Sequence, residues 1–338
     1  EIQSKIMSNL LFKFCITGLI LIFNSFGIHI PTKISSEVAT VYFDSKYGVE
    51  IKKNIIYGYG LSHDSFNFEN PRQVPLKLDI YSPRNNFFNR PVMVLIHGGG
   101  FRNGSKEKLP FVEMSTFFAS RGWVVFTINY RLMKDFGSVP NEWSQYINKI
   151  RTDKKKNQKK AAYPAIRDAK AAMRWIVANQ ERYGINTNYI TVGGGSAGAV
   201  SALGVGLSDN EDYKNELTIE QDPTLLSTNP KINFNVKTIL DFWGSKGSVD
   251  GINELYQKQL YNKNNPSLFI AHGTKDQIVS YKNAEDLRDI YKQTGVPYIL
   301  HPLEGRGHGP WRYNDLEGNS LGDLALKFIV KQQRLIVK

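Results

Sequence analysis

The chain has 338 residues, 41% of them hydrophobic and 22% charged, which sets it among globular proteins with a large core. A net charge of +12 suits nucleic acid only when it is concentrated on one face or motif; the densest run, at residues 154–160, has no interleaved aromatics and reads as a solvated, mobile loop. No nucleic-acid partner is therefore expected, and a single cysteine, Cys15, excludes an intrachain disulfide.

Residues 7–30 read MSNLLFKFCITGLILIFNSFGIHI. A methionine, a lone Lys13 and an apolar run over residues 14–23 have the shape of a secretory signal, and the run is shorter than the ~20 residues of a membrane span. The expectation is a leader over residues 1–30 and a secreted or periplasmic protein. No stable membrane insertion is expected once the leader is removed, and a cytoplasmic location is the alternative. Residues 31–338 read as one domain.

Residues 31–75 are polar and aromatic, with short strand-like runs such as 54–59. Residues 75–81 alternate apolar and polar, the pattern of a half-buried strand. Residues 92–96 (VMVLI) are continuously apolar, as in a strand covered on both faces, and end at His97-Gly98-Gly99-Gly100-Phe101. Residues 111–121 have helical spacing, and 123–128 form a second buried strand before Asn129-Tyr130-Arg131. Residues 134–162 break the pattern and read as an insertion carrying the lysine run. Residues 163–182 give the strongest helix, with Ile166, Ala169, Met173, Ile176 and Val177 on one face and Gly184 at the stop. A third buried strand, 189–192, runs into Gly193-Gly194-Gly195-Ser196, and a helix follows to residue 207. Residues 208–235 are polar and irregular, a lid or cap insertion. Strands at 236–242, 267–271 and 298–302 and helices at 283–294 and 319–334 complete the chain. Strands alternating with helices predict an α/β fold with a mostly parallel sheet covered on both faces and small cap insertions.

Gly194-Gly195-Ser196-Ala197-Gly198 is a G-x-S-x-G motif between a predicted strand and a predicted helix, the context this motif requires. A serine there sits on a sharp, strained turn, and side chains two residues before or after it would collide with neighbouring backbone. The overlapping G-x-G-x-x-G match at Gly193, Gly195 and Gly198 lacks an acidic residue at the end of a following strand, so no dinucleotide cofactor is expected. Nor is a metal. The glycines after His97 let backbone N–H groups approach a carbonyl oxygen, and the N–H of Ala197 starts a helix; together they offer Gly99, Gly100 and Ala197 as an oxyanion hole. His97 itself reads as a loop anchor.

A serine nucleophile needs a base and an orienting carboxylate, in the chain order serine, acid, histidine. His308 lies in a glycine loop past the last strand, whereas His301 lies within that strand. Asp276 follows the strand at 267–271, in the turn opened by His272; Asp241, Asp250 and Glu304 compete with it as the acid. Phe101, Trp243 and Trp311 are candidate walls of a substrate pocket.

These stretches, with Leu78 to Pro83 ahead of the glycine loop, resemble the α/β-hydrolase superfamily and, within it, the HGGG-type carboxylesterases of the hormone-sensitive-lipase and feruloyl/acetyl-esterase kind. The resemblance covers the chain from about Leu76 onward. It implies an α/β-hydrolase fold, Ser196 as nucleophile, His308 as general base and acid, Asp276 as its orienter, and Gly99, Gly100 and Ala197 as oxyanion donors. It implies hydrolysis of small-molecule or polysaccharide-linked esters through an acyl-enzyme, with an amide or peptide hydrolase of arylformamidase or prolyl-oligopeptidase type as the alternative. One departure is Gly195, where the lipase-like branch often carries an acidic residue.

Overall fold

The computed structural model describes residues 39–85, 88–150 and 155–338, all of which belong to one compact unit. The predicted leader over residues 1–30 lies outside the described residues.

A short β1 (Thr40–Val41) pairs in parallel with β10 (Ile336–Val337), apart from the main sheet. That sheet holds β2 (Val49–Ser62), β3 (Arg72–Pro83), β4 (Arg90–Ile96), β5 (Val124–Ile128), β6 (Ile185–Gly195), β7 (Thr238–Phe242), β8 (Ser267–Gly273) and β9 (Tyr298–Leu303). Their spatial order is β2-β3-β5-β4-β6-β7-β8-β9. The first two pairings are antiparallel and the remaining five parallel. The carboxyl ends of β4, β6, β7, β8 and β9 therefore lie along one edge, where such sheets place ligands.

The helices are α1 (Leu109–Ala119), α2 (Asn141–Ile150), α3 (Lys156–Lys160), α4 (Ala162–Ala178), α5 (Ala197–Leu207), α6 (Gly247–Tyr256), α7 (Lys282–Thr294) and α8 (Leu321–Gln333). The unbroken apolar run of β4 has a simple cause. Val92, Val94 and Ile96 pack into one core with Ile166 and Met173 of α4 and Leu203 of α5. Met93 and Leu95 face the opposite way, into a second core with Phe118 of α1 and Ile329 of α8. With period-two side chains and helices on both faces, residues 92–96 of β4 are apolar at every position.

Three sequence expectations need correction. The strand-like run at 54–59 is part of a 14-residue strand, β2, rather than a short element of its own. It is an edge strand whose exposed first half carries Glu50, Lys52 and Lys53, and Asn54, at φ 59°, lies at a bulge, so no alternation is visible. Residues 156–160 of the lysine run form a helix, α3, rather than a loop, and Lys160 is buried with its ammonium 5.9 Å above the Phe66 ring. Finally, residues 208–235 do not form a lid. Their single helical turn, Pro223–Thr228, is drawn to the flank of β2 and α4, where buried Asp222 lies 3.9 Å from Arg131 and 3.7 Å from Arg167, and the Thr228 carbonyl accepts from Arg174.

Candidate active site

Ser196 stands at the junction of β6 and α5 with φ 57° and ψ −122°, a backbone conformation that costs a non-glycine residue on the order of 1–3 kcal/mol. The surroundings enforce it. A β-carbon on Gly194 would lie 2.5 Å from the Ile96 carbonyl oxygen, and one on Gly198 would lie 2.0 Å from the same atom. The Ser196 N–H donates to the Phe242 carbonyl at 2.9 Å, tying the turn to β7. The hydroxyl is thus presented above the sheet edge by a turn that admits no side chain on either flank.

The other two predicted members meet it there. His308 Nε2 lies 2.9 Å from Ser196 Oγ, and His308 Nδ1 lies 2.7 Å from Asp276 Oδ2. Asp276 Oδ1 accepts N–H bonds from Ile278 at 2.8 Å and Val279 at 3.0 Å. Burial pushes the Asp276 carboxyl up, but the His308 ring and these two N–H groups outweigh it and hold the group below the ordinary carboxylate value. The competing acids lie elsewhere. Asp241 is buried with Oδ1 accepting the Gly244 N–H, Asp250 bonds Lys246 and Tyr261, and Glu304 pairs with Thr274. His301 packs its ring against Phe269 at 5.0 Å.

Two residues at this site escape a reading of the sequence. His272 is fully buried, with Nε2 2.8 Å from the Val279 carbonyl and 3.3 Å from Asp276 Oδ2, so it braces the acid from behind. Burial holds its ring below the usual histidine value and keeps it neutral. Gly273 lets the two loops touch: a β-carbon there would lie 2.4 Å from the Gly307 carbonyl oxygen. The Lys275 N–H then reaches the Arg306 carbonyl at 2.9 Å. The only local signal for both is the stretch His272-Gly273 at a strand end.

The glycine loop is anchored from below. Burial lowers the His97 pKa to about 4, so the ring is neutral, and its Nδ1 lies 2.8 Å from the Gly98 carbonyl. The ring stacks on Tyr130 at 4.3 Å, whose hydroxyl donates to the His97 carbonyl at 2.8 Å. Asn129 Oδ1 accepts the Lys106 N–H, and the buried Lys106 ammonium lies 2.8 Å from Asp79. Arg131 forms a buried pair with Asp168 at 2.7 Å. The Asn129-Tyr130-Arg131 stretch is therefore the footing of the loop. Gly99 and Gly100, at φ 121° and 62°, and Ala197 at the first position of α5 border the same cleft as Ser196.

That cleft has a volume of about 590 Å³. Phe101, Trp243 and Trp311 all line it. Trp243 and Trp311 meet edge to face at 4.6 Å, and Trp311 also contacts Phe111 and Phe242, each at 5.2 Å. Trp311 explains Gly195 as well: a β-carbon on Gly195 would lie 2.5 Å from Trp311 Cζ2. The indole fills the room that an acidic side chain would need. On the opposite side Gln158 of α3 presses on the glycine loop, its Nε2 2.8 Å from where a β-carbon on Gly100 would sit. Among the described residues, no cluster of His, Cys, Asp and Glu has the arrangement of a metal site, and no helix is long and apolar enough to cross a membrane.

Comparison with known proteins fits this architecture. The BD-FAE family model matches residues 78–151 and 150–258, more than half of the chain. Esterase LipC of Mycobacterium tuberculosis is 25% identical over 258 residues, covering 70% of this chain and 56% of that protein. Fumonisin B1 esterase of Sphingopyxis macrogoltabida is 34% identical over 132 residues, covering 38% of this chain and 22% of its own length. The chain thus spans about half of one of these relatives and less than a quarter of the other. The propionate-bound structure of a thermophilic esterase from Thermogutta terrifontis superposes with a TM-score of 0.57 at 22% identity, over 84% of this chain and 94% of that one. The fold is that of the α/β-hydrolases.

Proposed function

This chain belongs to the BD-FAE family, and from that premise we propose that it is a serine carboxylesterase. The observation that carries the proposal is the unbroken line Ser196 Oγ, His308, Asp276, at 2.9 and 2.7 Å, within a cleft bordered by glycine-loop backbone. In this reading neutral His308 donates from Nδ1 to Asp276 and accepts the Ser196 proton at Nε2. Ser196 Oγ bonds to the ester carbonyl carbon, and the oxyanion is held by the N–H groups of Gly99, Gly100 and Ala197. Each such donor is typically worth about 3 kcal/mol. The ester C–O bond breaks, and the alcohol leaves with the proton from His308. Water then attacks the acyl-enzyme with His308 again as base, and the carboxylic acid departs as Ser196 regains its proton.

The aromatic walls Phe101, Trp243 and Trp311 support short-chain acyl or aryl esters, including acetyl or feruloyl groups on polysaccharides, as the substrate class. Export remains part of the proposal and rests on residues 7–30 alone; fractionating a host that expresses the full chain tests it. An amide or peptide hydrolase on the same fold is the rival reading. A panel of p-nitrophenyl acetate, butyrate and decanoate, methyl ferulate and an aminoacyl-proline anilide tests the assignment, each beside Ser196→Ala. Ester turnover that disappears in the variant, with a fluorophosphonate adding one mass increment to the parent protein only, is the expected result. Turnover of the anilide alone moves the protein to the peptidases. Silence on all five from folded protein refutes both readings.

A further inference from the structure

Among the described residues, the charged side chains that line the cleft are all of one sign. Arg102, Lys108, Lys155 and Lys159 line it, and no aspartate or glutamate does among the described residues. Arg102 belongs to the glycine loop itself: its Nε lies 3.8 Å from where a β-carbon on Gly100 would sit. Lys108 precedes α1, and its ammonium is close enough to contribute to the lowered pKa of buried His97. Neither Arg102 nor Lys108 forms an ion pair with any described residue. Lys155 and Lys159 add their charge from the roof that α3 makes over the loop.

A cleft with cationic walls focuses field and raises the local concentration of anions. An apolar floor of tryptophans beside Arg102 and Lys108 is a poor match for a plain hydrophobic ester, because such an ester leaves those two charges without a counter-charge. It matches a molecule with an apolar part beside the scissile bond and a negative group a few ångströms further out. We propose that the preferred substrates are esters bearing a carboxylate, in the acyl or the alcohol part, which Arg102 and Lys108 bind at the cleft mouth. The proposal rests on the serine-esterase reading of the same cleft.

Matched ester pairs separate the two ideas. In the acyl arm, mono-p-nitrophenyl adipate is compared with p-nitrophenyl hexanoate. In the alcohol arm, meta-acetoxybenzoate is compared with meta-acetoxybenzamide. Each pair is run with the full chain at about 10 mM and about 1 M salt, where screening lengths are roughly 30 Å and 3 Å. A unit charge about 6 Å from a rim cation at an effective dielectric near 40 gives an expected preference of about tenfold in kcat/KM for the anionic member of at least one pair. That preference should fall below about twofold at high salt and in the Arg102→Gln, Lys108→Gln double variant. Both positions are exposed, so the variant should fold; the salt series on the parent protein tests the same point without any substitution. Equal kcat/KM within both pairs, or a preference indifferent to salt and to the double variant, overturns the proposal while leaving the esterase standing. Failure to cleave any of the four esters overturns the esterase reading and this inference with it.

Discussion

Gly195→Ala tests whether Trp311 is the reason for glycine ahead of Ser196. Gly195 does not adopt a positive φ, so the backbone itself tolerates alanine. The obstacle is space: the new methyl would meet Trp311 Cζ2 at 2.5 Å, Trp311 Cη2 at 3.1 Å and Trp243 Nε1 at 3.3 Å. The indole meets Trp243 and Phe111 edge to face and Phe242 at a tilt, so on those three sides it has little room to yield. Overpacking of this kind costs about 1–3 kcal/mol. In a domain of some 300 residues that lowers the melting temperature by about 2–5 °C. Trp311→Leu alone should also destabilise, by removing buried aromatic surface, but it vacates the site the methyl needs. The double variant should therefore be more stable than the sum of the two losses allows, with a coupling of at least about 1 kcal/mol. Thermal denaturation of the four proteins in the cycle measures this, and kcat/KM on an aryl ester reports how far the wall has moved. Additive losses would show that Gly195 answers to something other than Trp311.

Asp276→Asn should leave the fold intact and lower kcat by about four orders of magnitude, because an amide can donate to His308 Nδ1 and impose the wrong tautomer; steady-state kinetics on p-nitrophenyl butyrate checks it. Asp241→Asn should change stability in a pH-dependent way. Burial raises the Asp241 pKa to about 7 from 3.8, so the folded state holds this proton more tightly than the unfolded chain. The stability this contributes is complete below about pH 3.8 and is lost as pH rises through 7, by at most about 4 kcal/mol at 1.36 kcal/mol per unit. Melting temperatures of the variant relative to the parent should therefore improve from pH 5 to pH 8, and a constant difference would refute the assignment. Asp168→Asn leaves Arg131 buried without its bidentate partner and should cost about 3–5 kcal/mol by denaturant titration, through the footing of the glycine loop.

The chemistry of this protein is written in local signals and its pocket is not. Ser196, the loop after His97, Asp276 and His308 each follow a strand and sit near glycines, the first three strands being buried, and parallel strands must deliver their carboxyl ends to one edge. Chain order and sheet polarity then suffice to bring the four together. The remaining features depend on partners far away in sequence. Only Trp143 and Ile147 of α2 are buried, four residues apart, too thin an apolar stripe to separate a helix from an insertion. Residues 208–235 look like a lid because they are polar and irregular, yet buried ionic ties from Asp222 to Arg131 and Arg167 send them to the sheet flank. Gly195 and Gly273 look like ordinary turn glycines until Trp311 and the loop of Gly307 are in place beside them.

This separation has a mechanical consequence. The catalytic groups hang from strand ends that are bonded to one another: the Ser196 N–H to Phe242, Trp243 N–H to Ala271, and Thr274 N–H to Leu303. Displacing any one of them would strain the neighbouring strand, which restrains the spacing of Ser196, His308 and Asp276. The cationic side is held otherwise. At five residues α3 is too short to persist on its own hydrogen bonds. Its place depends on Lys160 over Phe66 and Gln158 against Gly100. Under the proposed function, changes in α3 would act on which ester is admitted, while the distances between Ser196, His308 and Asp276 would be set by the sheet. On that reading, a cleft built in this way would retain one reaction and leave its substrate range to a small, separately supported roof.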